Sequence, residues 1–161
     1  MRREISAGCG IENPDRLDIG GTQLRSAVCK QDQREPFAQK RVKTKASEPD
    51  TFGRLVKLIE EIWFKTEKVA AIGVSSPGPV DPHTGVIMFA PNIKEWRDFP
   101  IAEKLMRHFG VPTYLDNDAN LAGLAEWKFG AGRGHHNVLY LTISTGVGGG
   151  VIINDRLLQG Y

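Results

Sequence analysis

From residue 18 onward, apolar and polar positions along the chain switch between two periods, and the switches mark alternating strands and helices. Residues 24–30 and 37–45 read as two strands joined by the polar turn 31–36. Phe52, Leu55, Val56, Ile59, Ile62 and Trp63 then recur at helical spacing, with Asp50 or Thr51 ahead of them as a cap. Residues 69–75 form a short apolar run that stops at Ser76-Pro77-Gly78-Pro79, because proline cannot donate to a strand ladder. Residues 86–90 predict another strand, 91–99 an irregular segment, and 101–109 a helix ending at Gly110. Residues 111–115 predict a strand that runs directly into Asp116-Asn117-Asp118-Ala119-Asn120, and a further helix follows as far as Gly130. Residues 137–144 predict a buried strand, and 151–153 begin one more. Strands alternating with helices predict an α/β sheet covered on at least one face, and the N-terminal hairpin makes that sheet mixed.

The totals narrow the class without naming it. The 161 residues are 40% hydrophobic and 25% charged, the balance of a soluble globular protein. Twenty-one Lys and Arg against 19 Asp and Glu leave a net charge of +2, too even to argue for a nucleic-acid or membrane partner. Cys9 and Cys29 lie far apart and read as free thiols of a reducing compartment. The N-terminus lacks the continuous apolar run of a secretory signal, and no stretch approaches membrane-spanning length, so a cytoplasmic protein is expected.

Three segments are unusual for a plain scaffold. Asp18-Ile19-Gly20-Gly21-Thr22 is either a tight hairpin turn or a loop whose backbone N–H groups face an anion, with Asp18 able to orient a metal-bound water. Thr145-Gly146-Val147-Gly148-Gly149-Gly150 lies between two apolar strands, where a phosphate-cradling loop or a close backbone crossing would account for its glycines. Its resemblance to a dinucleotide fingerprint fails, because 151–153 reads as strand where a helix is required. In the 116–120 segment one residue would suffice as a helix cap, yet four polar residues cluster at the carboxyl end of a strand, the usual place for ligands in α/β sheets. A carboxylate there can accept a proton from an attacking hydroxyl while neighbouring amides fix that hydroxyl. Two candidate phosphate loops flanking a base are what phosphoryl transfer requires.

These segments, together with Ser-Ser-Pro-Gly-Pro-Val-Asp at 75–81, Ala-Pro-Asn at 90–92, Trp96-Arg97, Glu126-Trp127 and the Phe-Gly-Ala-Gly-Arg-Gly of 129–134, resemble the ROK family over residues 18–161. That family holds glucokinases, other hexose kinases and sugar-responsive repressors, and the likeness is closest to the glucokinase-like members. The resemblance implies an actin-like ATPase fold of the hexokinase, ribonuclease H-like type, in which two α/β domains close over sugar and ATP. It implies Asp118 as general base, Asn117 and Asn92 as ligands to sugar hydroxyls, and Pro77 and Gly78 as a wall of the same pocket. Asp18, Gly20, Gly21 and Thr22 would form the first phosphate loop, and Thr145, Gly146 and Gly148 the second. Mg2+ would arrive with the nucleotide, held largely through phosphates and water.

The same resemblance implies domain divisions: an atypical segment at 1–17, a sugar-kinase domain at 18–134, and the start of a second domain at 135–161. Family members continue further, so a cysteine-rich zinc site and most of the adenosine pocket would lie beyond residue 161, with no metal ligands expected within it. His83, His108, His135 and His136 read as surface or structural. Ahead of Asp18, residues 5–11 fit the first strand, with 12–16 as an inserted polar segment. A hexose substrate, neither nucleic acid nor membrane, and a homodimer or an association through an open sheet edge complete the expected partners. Two other readings stand beside the kinase. One is a sugar-responsive regulator, disfavoured because only 17 residues precede Asp18; the other is a non-catalytic remnant or partner-binding module.

Overall fold

The computed structural model of the chain describes residues 14–19, 23–29, 35–36, 38–44, 50–63, 69–143 and 146–159. Its framework is a five-stranded mixed sheet in the order β3-β2-β1-β4-β8. Strand β1 (Pro14–Ile19), β2 (Gln23–Val28) and β3 (Ala38–Lys43) run antiparallel in succession. Strand β4 (Ala71–Ser76) and β8 (Thr113–Asn117) lie parallel to β1 beyond its other edge.

The position of β1 corrects the expectation that 5–11 is the first strand. Pro14, Asp15 and Arg16 open β1 itself, in register with Ala71, Ile72 and Gly73 on one side and with β2 on the other. Pairing on both edges decides the element against the weak strand preference of these residues, and proline at the first position removes the fewest ladder bonds. The division at 17/18 therefore falls inside a central strand; residues 5–11 lie outside the described residues.

Helix α1 (Thr51–Trp63) follows, started by Asp50, whose Oδ1 accepts the Gly53 N–H at 2.8 Å. It buries Leu55, Val56, Ile59 and Ile62 of the expected stripe and Leu58 beside them, while Phe52 and Trp63 at its ends are partly buried. Helix α2 (Ile101–Phe109) ends on Gly110, whose φ of 70° takes the left-handed turn that stops it. Both helices share one core with the sheet, built from Leu24, Leu55, Ile59, Ile72, Ile101 and Leu115. Between β4 and α2 a small antiparallel sheet forms from β5 (Val80–Asp81), β6 (Val86–Phe89) and β7 (Arg97–Phe99). Its buried Trp96 stacks on Phe99 at 4.8 Å between ring centroids. The sequence had marked 91–99 as irregular. Three residues, one of them Asp98 at positive φ, are too few to show alternation.

Helix α3 (Asp118–Phe129) leaves β8 without a loop and packs on a second sheet of β9 (Val138–Ile143), β10 (Val147–Ile153) and β11 (Arg156–Leu157). The expectation of a buried β9 is corrected here. Residues of β9 alternate between a face against α3 and an open one that leaves Leu139 65%, Leu141 58% and Ile143 79% exposed, with Val147 of β10 at 76%. A continuous apolar run specifies burial on both faces, but among the described residues a helix covers only one face of this sheet. Of the two cysteines, Cys29 is free and buried; Cys9 lies outside the described residues.

Candidate active site at the carboxyl ends of three parallel strands

Strands β1, β4 and β8 are adjacent and parallel, so their carboxyl ends are level. Asp18 is opposite Ser75, and Ser75 is opposite Asp116. Side chains leaving these ends share one rim of the sheet, where ligands of α/β sheets sit.

The junction between β8 and α3 is the centre of that rim. Asn117 is both the last residue of the strand and the N-cap of the helix. Its Oδ1 accepts the N–H of Ala119 at 2.9 Å and of Asn120 at 3.3 Å. Its Nδ2 donates to the Gly78 carbonyl at 3.0 Å, which spans 39 residues of sequence and holds the 76–79 turn against the junction. One N–H of the Asn117 amide stays available to a ligand. Gly78 has φ of 83°, and a Cβ there would sit 2.5 Å from the Phe89 carbonyl and 3.0 Å from Pro91 Cδ. Only glycine fits, and the tight approach places the Pro77–Gly78 turn beside the segment that carries Asn92. Asn92 itself is exposed in the turn after β6.

Asp118 opens α3 as an exposed residue; its Oδ1 accepts the Ala119 N–H at 2.8 Å, and its second oxygen has no hydrogen bond among the described residues. The positive end of the helix favours a carboxylate there. Asp18 is half-buried, and that burial pushes its carboxyl above the usual range. Arg25, 3.9 Å away, pulls it back, and the charge of Asp118 adds to the rise.

The glycine-rich run divides between turn and strand. Gly146 lies exposed before β10, and a Cβ on it would meet nothing within 4 Å. Gly148 and Gly150 belong to β10 and lie under the first turn of α3. A Cβ on Gly148 would sit 3.1 Å from Ala119 Cβ, and one on Gly150 would sit 2.9 Å from the Ala119 carbonyl and 3.2 Å from the Asn120 and Gly123 Cα atoms. At these two positions the glycines permit a close strand–helix crossing, the second of the two readings that the sequence left open. The rim thus gathers Asp18, Gly78, Asn117, Asp118 and Gly148. Gly20, Gly21, Thr22 and Thr145 lie outside the described residues.

Sequence reasoning passed over one group. Asp116 is more than nine-tenths buried, and its carboxylate accepts three hydrogen bonds: Oδ1 from the Asn117 N–H at 2.7 Å and from Asn120 Nδ2 at 3.0 Å, Oδ2 from Gln159 Nε2 at 2.8 Å. Nothing in the local pattern around Gln159 marks it, since its partner is 43 residues away.

The five-stranded mixed sheet and the second sheet reached through α3 define an actin-like ATPase fold of the hexokinase type. Residues 16–161 match the ROK family, and the chain belongs to it. It is 34% identical over 145 residues to a glucokinase of Streptomyces coelicolor, a match covering 90% of this chain and 45% of that protein. A ROK family glucokinase from Streptomyces griseus, solved in complex with glucose and AMPPNP, superposes with a TM-score of 0.79 at 32% identity, over 92% of this chain and 47% of that one. Regulators are also relatives: the xylose repressor of Bacillus subtilis is 39% identical over 89 residues, 55% of this chain and 23% of the repressor. The chain spans about half the length of the glucokinases it matches.

Proposed function

We propose that this chain carries the sugar-binding and base-bearing half of an ATP-dependent hexose kinase. The observation that supports this reading best is the exposed Asp118 carboxylate at the start of α3, on the same rim as the Asn117 amide and the Gly78 turn. In the proposed reaction a sugar hydroxyl approaches the free Asp118 oxygen, which accepts its proton as that hydroxyl attacks the terminal phosphoryl group of ATP. The remaining Asn117 N–H and the Asn92 amide hold neighbouring hydroxyls, and the Pro77–Gly78 turn walls the pocket, so the nucleophile is fixed before reaction.

Gly20, Gly21 and Thr22 with Asp18 would hold phosphate from one side, and Thr145, Gly146 and Gly148 from the other. The open surroundings of the Gly146 backbone suit an anion. Asp18 fits a magnesium-bound water: it is a half-buried carboxylate whose charged form is disfavoured by burial, and a nearby cation would relieve that. The ion itself would neutralise charge on the phosphates. Because positioning dominates this chemistry and relatives are about twice as long, we propose negligible turnover by the 161-residue polypeptide assayed alone.

Calorimetric titration with glucose, mannose and N-acetylglucosamine, with and without ATP and magnesium, tests the reading. Saturable sugar binding that disappears in Asp118→Ala is expected; a folded chain that binds none of the three sugars would refute the assignment. Glucose phosphorylation by the polypeptide alone, abolished in Asp118→Asn, would refute the proposed dependence on a second half. Repressor relatives make sequence-specific DNA binding the competing outcome, read by gel retardation.

A further inference from the structure

We propose that Asp116 is the positioning residue of this site: its buried carboxylate locks the β8–α3 junction that carries Asn117 and Asp118, and Gln159 ties that lock to the second sheet. The three donors to Asp116 come from three parts of the fold. The Asn117 N–H belongs to the end of β8, Asn120 lies in the first turn of α3, and Gln159 follows β11. The first two fix the angle at which the strand turns into the helix. The third reaches from the segment that closes the second sheet back to the rim of the first.

The chemistry of the group argues against a plain packing role. No Lys or Arg among the described residues pairs with Asp116, so a buried charge is held by N–H donors alone. Removing a carboxylate from water is costly, and an apolar side chain of similar size would fill the space at less cost. A forked side chain with two polar atoms is what this position requires, because three hydrogen-bonding groups converge on it from directions that no single hydroxyl could meet at once. The neighbours gain from this arrangement. Asn117 can offer its amide both to the α3 cap and to Gly78 only while its backbone is held, and Asp118 is aimed by the residue before it. Motion of the second sheet relative to the first passes through Gln159 to the residues proposed to bind and deprotonate the sugar.

The sugar arm of the test rests on the kinase reading; the exchange arm does not. Gln159→Leu keeps the approximate size of the side chain and removes the donor at a partly exposed site. The full 161-residue chain and this variant are compared by residue-resolved amide hydrogen exchange and by glucose titration. Exchange is expected to rise about tenfold at the amides of Asn117, Ala119 and Asn120, with Ile72 and Val74 in β4 unchanged. Glucose affinity is expected to fall about tenfold, in line with loss of a hydrogen bond to a charged group. Asp116→Asn is the conservative control. The Gln159 carboxamide can rotate to present its oxygen to the new N–H, so both readouts should stay within about twofold of the parent. Wild-type exchange at the three amides in Gln159→Leu would overturn the proposal, as would faster exchange there with unchanged glucose affinity. If the parent chain binds none of glucose, mannose and N-acetylglucosamine, the kinase reading fails, and the exchange pattern alone decides whether Asp116 and Gln159 hold the junction.

Discussion

Replacing Asn117 tests the geometry of the junction through stability, without any need for activity. Two separable contributions meet in this side chain. As N-cap of α3 its Oδ1 satisfies two helix N–H groups, and loss of such a cap costs about 1 kcal/mol. Its Nδ2 bond to the Gly78 carbonyl contributes about 1 kcal/mol more. Asn117→Ala removes both, so a loss of about 2 kcal/mol is expected. Asn117→Asp keeps an oxygen to cap the helix but has no N–H for Gly78, so its loss should be about 1 kcal/mol. Urea unfolding followed by circular dichroism and by tryptophan fluorescence gives both values from the midpoints, provided the slope with urea is the same in all three proteins. The gap between the two variants isolates the cap, and the loss in Asn117→Asp isolates the bridge to Gly78. Equal losses in Ala and Asp variants would refute the cap, and an Asn117→Ala protein within about 0.5 kcal/mol of the parent would refute the whole account.

Gly150→Ala drives a Cβ onto the α3 backbone, 2.9 Å from the Ala119 carbonyl, and should cost about 2 kcal/mol in urea unfolding, whereas Gly146→Ala, with open space around it, should cost far less. Because Asp18 titrates above its usual 3.8 when folded, the native state binds the extra proton between that value and the raised one, and stability falls as pH rises through that window. Asp18→Asn should therefore be more stable than the parent at neutral pH and lose that advantage below the unfolded pKa; thermal melts across the acid range measure it. The open apolar face of β9 and β10 should make the isolated polypeptide self-associate as concentration rises, and Leu141→Lys with Ile143→Lys should reduce this in light scattering; a parent that stays monomeric at high concentration would contradict it.

The elements that could be read directly from the sequence are those whose signals are local. The stripe of Leu55, Val56, Ile59 and Ile62 and the stops at Gly110 and Gly130 need only their own neighbours; α1 and α2 lie where the periods put them, and α3 runs from its polar start to Gly130. What escaped depends on partners distant in sequence. Pro14, Asp15 and Arg16 have no strand preference to speak of, yet β2 and β4 flank them and the ladder decides. Gly148 to Gly150 look like loop residues because they forgo side-chain packing; pairing with β9 makes them strand, and at Gly148 and Gly150 α3 crosses too closely for anything larger.

The site divides along the same line. A carboxylate at a strand-to-helix passage is visible as Asp116-Asn117-Asp118 in the sequence, and so is the glycine-bearing turn at 77–78. The hydrogen bonds that connect them are not, because each joins residues dozens of positions apart: Asn117 with Gly78, and Asp116 with Gln159. The consequence is a division of labour within three consecutive residues. Asp118 faces solvent with an oxygen free, Asn117 joins the helix cap to the neighbouring turn, and Asp116 faces inward to receive the second sheet. Since α3 starts at this point and packs on β9 and β10, any shift of the second sheet must either carry the Asp118 carboxylate with it or break the Asp116 contacts. A carboxylate held from both sides in this way is fixed only while both sheets keep their places, and that makes its position a property of the pair of sheets rather than of the motif that announces it.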